Sequence, residues 1–221
     1  DRPRFFQEAM YLLLCGCGTG FSVQKHHINR LPNLVSKLKD KIEYIVPDTI
    51  EGWADAIGIL VNSYFDGGIY PEYEGKTVEF NFSQIRPEGS KLSYTTGKAP
   101  GHKPLENALK KIKNLLDLAV QSGQKKLKPI QVYDIVMHSS DAVLAGGVRR
   151  SSCICLFSHD DDEMMKAKTG NWFAENPQRG RSNNSVVLIK NKTTFEDFQK
   201  IIESVRNFGE PGFAWCYNKE A

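Results

Sequence analysis

The hexamer Gly146-Gly147-Val148-Arg149-Arg150-Ser151 carries the strongest chemical signal in this chain. Two adjacent glycines let a backbone pass close to a ligand and adopt positive φ. Two adjacent guanidiniums offer forked donors that fit phosphate or carboxylate oxygens. The same residues also read as a helix C-cap followed by two solvated arginines, because glycine is the commonest helix stop. Their company favours a ligand. CGTGFSV at 17–23, NWFAENPQRGRSNNSV at 171–186 and GEPGF at 209–213 also concentrate glycine, asparagine and arginine.

Other residue types invite chemistry less strongly. Cys15 and Cys17 form one C-x-C pair, and Cys153 and Cys155 another. A four-thiolate zinc site uses wider spacing, and Cys153 and Cys155 share one strand face as core residues. Cys216 stands alone. His26 and His27 are adjacent, so on regular structure their rings diverge, and no metal site is expected. Asp160, Asp161, Asp162 and Glu163 suit a first helical turn, where carboxylates complement the dipole. The stretch 17–23 resembles a phosphate-cradling glycine loop but has neither the full G-x-G-x-x-G nor a G-K-[ST]. Asn183 and Asn184 bring amides to a strand start, with an ordinary turn as the alternative. No Ser-His-Asp or Cys-His arrangement has workable spacing.

Composition bounds the answer. With 221 residues, 40% of them apolar and 25% charged, the chain reads as one or two globular domains. No apolar run approaches the roughly 18 residues that span a bilayer. No signal-peptide pattern occurs either, so no membrane partner is expected. A net charge of +3 is too small to argue for direct nucleic-acid binding. The lysine-rich pieces, Lys110, Lys111, Lys113 and Lys125, Lys126, Lys128, read as solvated faces. Five cysteines without secretory context suggest a reducing cytoplasm. The chain begins at Asp1 and ends within a pattern that looks unfinished, so a piece of a longer or split protein is expected.

Helix and strand periodicities alternate along the chain. Phe6, Met10, Leu13 and Leu14 recur at helical spacing, and Phe21–Val23 suggests a strand. Asp48 and Glu51 look like a capping pair ahead of Trp53, Ile57, Leu60, Val61 and Tyr64. Residues 66–76 read as a loop and Val78–Phe82 as a strand. Pro104 opens a helix that Gly123 stops, and another runs from about Gln131 to Leu144. Cys153–Phe157 and Ser185–Ile189 are apolar on successive residues, as in strands covered on both faces. Ser158 with Asp161 caps a helix through Met164. Thr194 caps a last one, which Gly209 ends. This alternation predicts an α/β fold with mostly parallel strands. Right-handed crossovers then gather the loops after strand ends on one rim.

In order along the chain, CGTGFSV (17–23), IRPEGSKL (85–92), TGKAPGHKPL (96–105), AGGVRRSSCICLFSHDDDEMMKAKTGNWFAENPQRGRSNNSV (145–186) and GEPGF (209–213) closely resemble the adenosylcobalamin-dependent, class II ribonucleotide reductases, above all the monomeric ribonucleoside-triphosphate reductase type. The resemblance implies part of a ten-stranded α/β barrel, roughly its first half, with an inserted effector-binding region near 34–128. It implies radical reduction of ribonucleotides, ribonucleoside triphosphates in that type, to 2′-deoxyribonucleotides for DNA synthesis. Adenosylcobalamin would be the cofactor and a thioredoxin-like protein the reductant, with a deoxyribonucleoside triphosphate as effector and the remaining half of the barrel as partner. By this likeness Cys17, Gly18 and Thr19 line the ribose and phosphate pocket, with Gly18 giving close backbone approach, and Asn183 joins the substrate-binding set. Gly146, Gly147, Val148, Arg149 and Arg150 inherit the mobile loop between the specificity site and the substrate base, with Arg149 touching substrate. Residues 93–104 resemble the partner loop that closes over the effector, which brings Lys91, Gly97, Lys98 and Gly101 into the effector set.

One departure matters. The family's chemistry needs a radical cysteine in an Asn-Pro-Cys context and a pair of reducing cysteines. Here Asn176-Pro177 is followed by Gln178, and none of Cys15, Cys17, Cys153, Cys155 and Cys216 matches those positions. No catalytic residue is therefore assigned within the chain, and most of the cobalamin surface is expected elsewhere. The alternative is a stand-alone nucleotide-binding or regulatory module without catalysis.

Overall fold

The computed structural model describes residues 2–92, 97–144 and 152–218. Helix α1 (Phe5–Leu14) buries Phe6, Met10, Leu13 and Leu14 on one stripe, as their spacing predicts. It stops at Gly16, whose φ of 81° is the left-handed conformation that glycine adopts without a Cβ penalty. The Cys17 N–H then donates to the Leu12 carbonyl at 3.0 Å, which closes the helix end. Strand β1 (Thr19–Ser22) follows two residues later.

A long excursion separates β1 from its sheet neighbour. It comprises α2 (Lys25–Ile28), β2 (Asn33–Leu34), β3 (Lys41–Ile45), α3 (Ile50–Ser63), β4 (Phe65–Asp66), β5 (Thr77–Asn81) and α4 (Lys103–Gln121). Two small sheets form within it, β2 antiparallel to β4 and β3 parallel to β5. Helix α3 packs against both α1 and α4, so most of its circumference is buried. Its cap differs from expectation. Thr49, not Asp48, holds the N-cap, and its Oγ1 accepts the Gly52 N–H at 2.9 Å. Asp48 stands one residue too early for that bond and pairs with Arg86 instead. The rings of His26 and His27 do not diverge either. Their centroids lie 4.0 Å apart at 45°, with the His27 ring held by Ser22 Oγ at 2.8 Å from its Nδ1.

The remaining elements are α5 (Pro129–Leu144), β6 (Cys153–Ser158), α6 (Asp162–Met165), α7 (Trp172–Glu175), a 3₁₀ turn (Pro177–Arg181), β7 (Ser182–Ile189), α8 (Phe195–Phe208) and β8 (Gly212–Cys216). Strands β1, β6, β7 and β8 form one sheet in that order, every pair parallel. This is the α/β class that the alternation predicts. Asp161 caps α6 by accepting the Met164 N–H at 3.0 Å.

Helix α8 begins with a full capping box, in which Thr194 Oγ1 accepts the Asp197 N–H at 3.1 Å and Asp197 accepts the Thr194 N–H in return. It ends at Gly209, φ 75°. Thr194→Ala is expected to cost about 1 kcal/mol of stability. An unchanged denaturation midpoint would show that the box does not hold the helix start.

Two departures concern the sheet. β6 is not covered on both faces: Cys153, Cys155 and Phe157 are buried, whereas Ile154 is 50% exposed. Asn183 and Asn184 lie within β7, not in a turn, because parallel pairing to β6 begins at Ser182.

Candidate functional site

The glycine- and asparagine-bearing motifs converge at the starts of the parallel strands. Cys17 and Gly18 precede β1, residues 145–152 precede β6, Ser182-Asn183-Asn184 opens β7, and Gly209-Glu210-Pro211 precedes β8. Register places Thr19 beside Cys153 and Cys153 beside Ser182, so three of the starts are level. The rim that carries the motifs is thus the one before the strands, because each motif precedes its strand in sequence. Gly146, Gly147, Val148, Arg149 and Arg150 lie outside the described residues. Ser152, the first described residue after them, accepts the Thr19 N–H through its carbonyl at 2.9 Å.

Strand alternation sorts the residues of this sheet into two faces. One face packs on the helices: Thr19 and Phe21, Cys153 and Cys155, Ser182 and Asn184 are buried there. The other face is open and carries Gly20, Ile154 and Asn183 in one register row. The next row is Ser22, Leu156, Ser185 and Gly212. A Cβ built on Gly18 or Gly20 would meet no other part of the chain within 4 Å. A Cβ on Gly212 would lie 2.8 Å from Ser185 Oγ, so glycine lets β8 settle beside that serine. The open face is therefore a shallow glycine floor bordered by an exposed amide and two serines. Ser22 Oγ already bonds Gln24 Oε1 at 3.1 Å and His27 Nδ1 at 2.8 Å, which leaves Asn183 as the freer polar group.

Of the expected substrate-binding residues, Cys17 and Gly18 lie exposed on the rim and Asn183 on the open face. Thr19 points the other way. Its side chain is on the helix side, 7% exposed, and its Oγ1 has no hydrogen-bond partner among the described residues. Only its backbone faces the rim. Cys155 is buried as well, and burial, with Cys153 beside it, pushes its thiol well above the usual range. It is unsuited to thiolate chemistry.

Beneath the open face, sequence reasoning missed a buried polar network. Arg179 Nε and Nη2 donate to the two carboxylate oxygens of Asp134 at 2.9 and 2.7 Å, and Arg179 Nη1 donates to the Ala167 carbonyl at 3.0 Å. Burial works against the Arg179 charge, but the hydrogen bonds and charge of Asp134 outweigh it and raise the pKa further. Tyr133 Oη lies 3.0 Å from Ser182 Oγ, which donates to Asn184 Oδ1 at 2.8 Å. The Lys168 ammonium bonds the Ser182 carbonyl and Glu210 Oε1. No local motif announces these partners; they meet where α5, the segment around Lys168 and the 3₁₀ turn pack at the start of β7.

The expected effector residues occupy a separate turn. Lys91 and Lys98 face each other across an isolated antiparallel bridge, and both are exposed. The Leu92 N–H donates to the Gly97 carbonyl at 3.4 Å, and the Ala99 N–H to the Ser90 carbonyl at 2.7 Å. Directly opposed residues extend their side chains to one side of the pair, so two ammonium groups share a surface suited to an anion. Gly101 has a φ of 68°, and a Cβ there would lie 3.0 Å from Glu88 N. The tight turn requires glycine.

Known proteins share this sequence and fold. Residues 22–116 match the family model for the insertion domain of B12-dependent ribonucleotide reductase. An adenosylcobalamin-dependent ribonucleoside-triphosphate reductase of Euglena gracilis is 32% identical over the whole of this chain and 28% of its own length. The enzyme of the same name from Lactobacillus gasseri is 31% identical over 90% of this chain and 30% of its own length. A crystal structure of B12-dependent (class II) ribonucleotide reductase superposes with a TM-score of 0.78 and 26% identity, covering 94% of this chain and 31% of that one. The chain thus spans about three tenths of the length of the relatives it matches. Over that span, similarity in sequence and similarity in fold agree, and the chain belongs to the class II ribonucleotide reductase family.

Proposed function

We propose that the chain supplies the ribonucleotide floor and the effector-sensing loops of an enzyme that reduces ribonucleoside triphosphates to 2′-deoxyribonucleotides. The observation that carries this reading is the convergence of the family-like motifs on one rim, over an open glycine face with Asn183 exposed on it. Gly18 and Gly20 leave room for a sugar or base to lie close to the backbone. The Asn183 amide can both donate to and accept from ribose hydroxyls. Arg149, entering from the loop before β6, pairs with phosphate or reads the base.

The four-stranded sheet is then part of a ten-stranded barrel, and the region near 34–128 is its effector-binding insertion. The Lys91–Lys98 surface holds the triphosphate of a deoxyribonucleoside effector, and its occupancy is passed to Arg149 through the loop that follows α5. The relatives' names carry adenosylcobalamin. A corrin ring needs a broad wall, whereas the open face is a narrow strip of glycine, serine and amide with Ile154 as its exposed apolar side chain. The described residues suit a nucleotide and not the corrin, so adenosylcobalamin binds elsewhere in the enzyme. A thioredoxin-like protein supplies the electrons. None of the five cysteines forms a disulfide, which suits a reducing cytoplasm.

Arg149→Ala in the complete enzyme tests the loop assignment. Loss of one charge-assisted hydrogen bond costs about 1.5–3 kcal/mol, which is roughly a ten- to hundredfold loss in kcat/KM for at least one ribonucleotide. Unchanged kinetics with all four ribonucleotides, with and without effector, would make Arg149 a solvated arginine after a helix cap.

A further inference from the structure

We propose that Lys168 is a positioning residue for substrate recognition, holding the Asn183 amide on the open face by tying the first residue of β7 to Glu210 in the turn before β8. The inference rests on the reading of Asn183 as a substrate contact. Lys168 lies between α6 and α7 and is 7% exposed. Its ammonium has three N–H donors. It bonds the Ser182 carbonyl and Glu210 Oε1, the latter at 2.7 Å, and stands 5.6 Å from the centroid of the Trp172 ring.

Both neighbours of Asn183 are gripped from the helix side. Ser182 is held through its carbonyl by Lys168 and through its hydroxyl by Tyr133. Asn184 is held by the Ser182 hydroxyl. With residues 182 and 184 fixed on one face, alternation sends residue 183 to the other. A strand start made of Ser-Asn-Asn has no apolar pattern to set its register, and a slip of one residue would exchange Asn183 for Asn184 on the open face. The Lys168 bond to the Ser182 backbone opposes that slip.

Stability alone does not explain the pair. A buried ion pair seldom outperforms an apolar pair of the same volume, and Glu210 Oε2 is buried without a hydrogen-bond partner among the described residues. The arrangement carries an uncompensated acceptor in order to place an ammonium against the β7 backbone. It also joins β7 to the GEPGF turn, since the Glu210 carbonyl accepts Ser204 Oγ of α8 at 2.8 Å.

A double-mutant cycle in the complete enzyme tests this, read as the dissociation constant of each ribonucleoside triphosphate, without turnover. Lys168→Met with Glu210→Gln removes both charges together, which avoids stranding either one. The pair variant is expected to keep a cooperative thermal transition and to weaken binding by about tenfold. Asn183→Ala should then weaken binding at least about threefold less in that background than in the wild type, because contacts in one network couple. Equal effects of Asn183→Ala in the two backgrounds would overturn the positioning role while leaving Asn183 as a substrate contact. A silent Asn183→Ala in the wild type would overturn both. Should the pair variant not fold, Tyr133→Phe replaces it in the same cycle: it releases the other grip on Ser182 and must show coupling of the same sign.

Discussion

A phenylalanine at Gly20 is expected to lower kcat/KM for every ribonucleotide by more than about a hundredfold, a loss typical of a substrate displaced by about an ångström or more. Gly20 lies in the middle of β1, level with Ile154 and Asn183, and a Cβ there enters open space. The side chain therefore starts in open space and can extend over the floor. Stability should hold or rise slightly, because glycine weakens a strand interior and aromatic residues favour it. That separation of effects gives the variant its value: function is lost while the melting temperature is kept. Gly52→Phe is the control for a site with no room, since its Cβ would lie within 3 Å of Pro47, its carbonyl oxygen included, and there the melting temperature should fall. Full activity in Gly20→Phe would show that the open face does not hold the substrate.

Arg179→Ala is expected to be the most destabilising change on the helix side. The side chains of Arg179 and Asp134 are 14% and 11% exposed and meet through two hydrogen bonds. Truncating the arginine leaves a carboxylate largely buried, with only the longer 3.3 Å bond from Gln178 Nε2. Breaking such a pair costs about 3–5 kcal/mol. For a chain of this size that lowers the melting temperature by roughly 10 °C. Replacing both partners, Arg179→Met with Asp134→Leu, should recover at least half of the loss, because no charge is then stranded. A single variant as stable as the wild type would mean that Asp134 finds water or another donor and that the network does not brace β7.

Elements with a strong period and a chemical stop were legible. The stripe and terminal glycine of α1, Pro104 and Gly123 around α4, and Thr194, Asp197 and Gly209 around α8 each act within a few residues of chain. Where the deciding interaction was distant, legibility failed. Asp48 and Thr49 are both good caps, and only the turn geometry and Arg86 decide between them. The first three residues of β7 are polar, and they become strand because β6 offers a parallel partner and Tyr133 and Lys168 bury their polar groups. β8 carried a usable signal in the alternation of Phe213 and Trp215, which pack on Phe198 of α8. The two-residue strands β2 and β4 carried none.

The site divides in the same way. The family resemblance singled out Gly18 and Asn183, and both are exposed, Gly18 on the rim and Asn183 on the open face. Thr19 was chosen for its position next to Gly18, but parity along β1 turns its hydroxyl to the core. The loop from Gly146 to Arg150 lies outside the described residues, and its role remains a proposal that Arg149→Ala tests. Lys168, Glu210 and the Asp134–Arg179 pair could not be read from spacing, since Asp134 and Arg179 lie 45 residues apart and meet only in the folded chain.

We propose that this chain is part of a working reductase and not a nucleotide-binding module alone. The most direct measurement is turnover by the complete enzyme of ribonucleoside triphosphates with a dithiol reductant, assayed with and without adenosylcobalamin. The account predicts 2′-deoxyribonucleoside triphosphate only when adenosylcobalamin is present, with a substrate preference that changes as the added deoxyribonucleoside triphosphate is changed. Tight nucleotide binding with no deoxyribonucleotide formed under any of these conditions would contradict it and leave the stand-alone module.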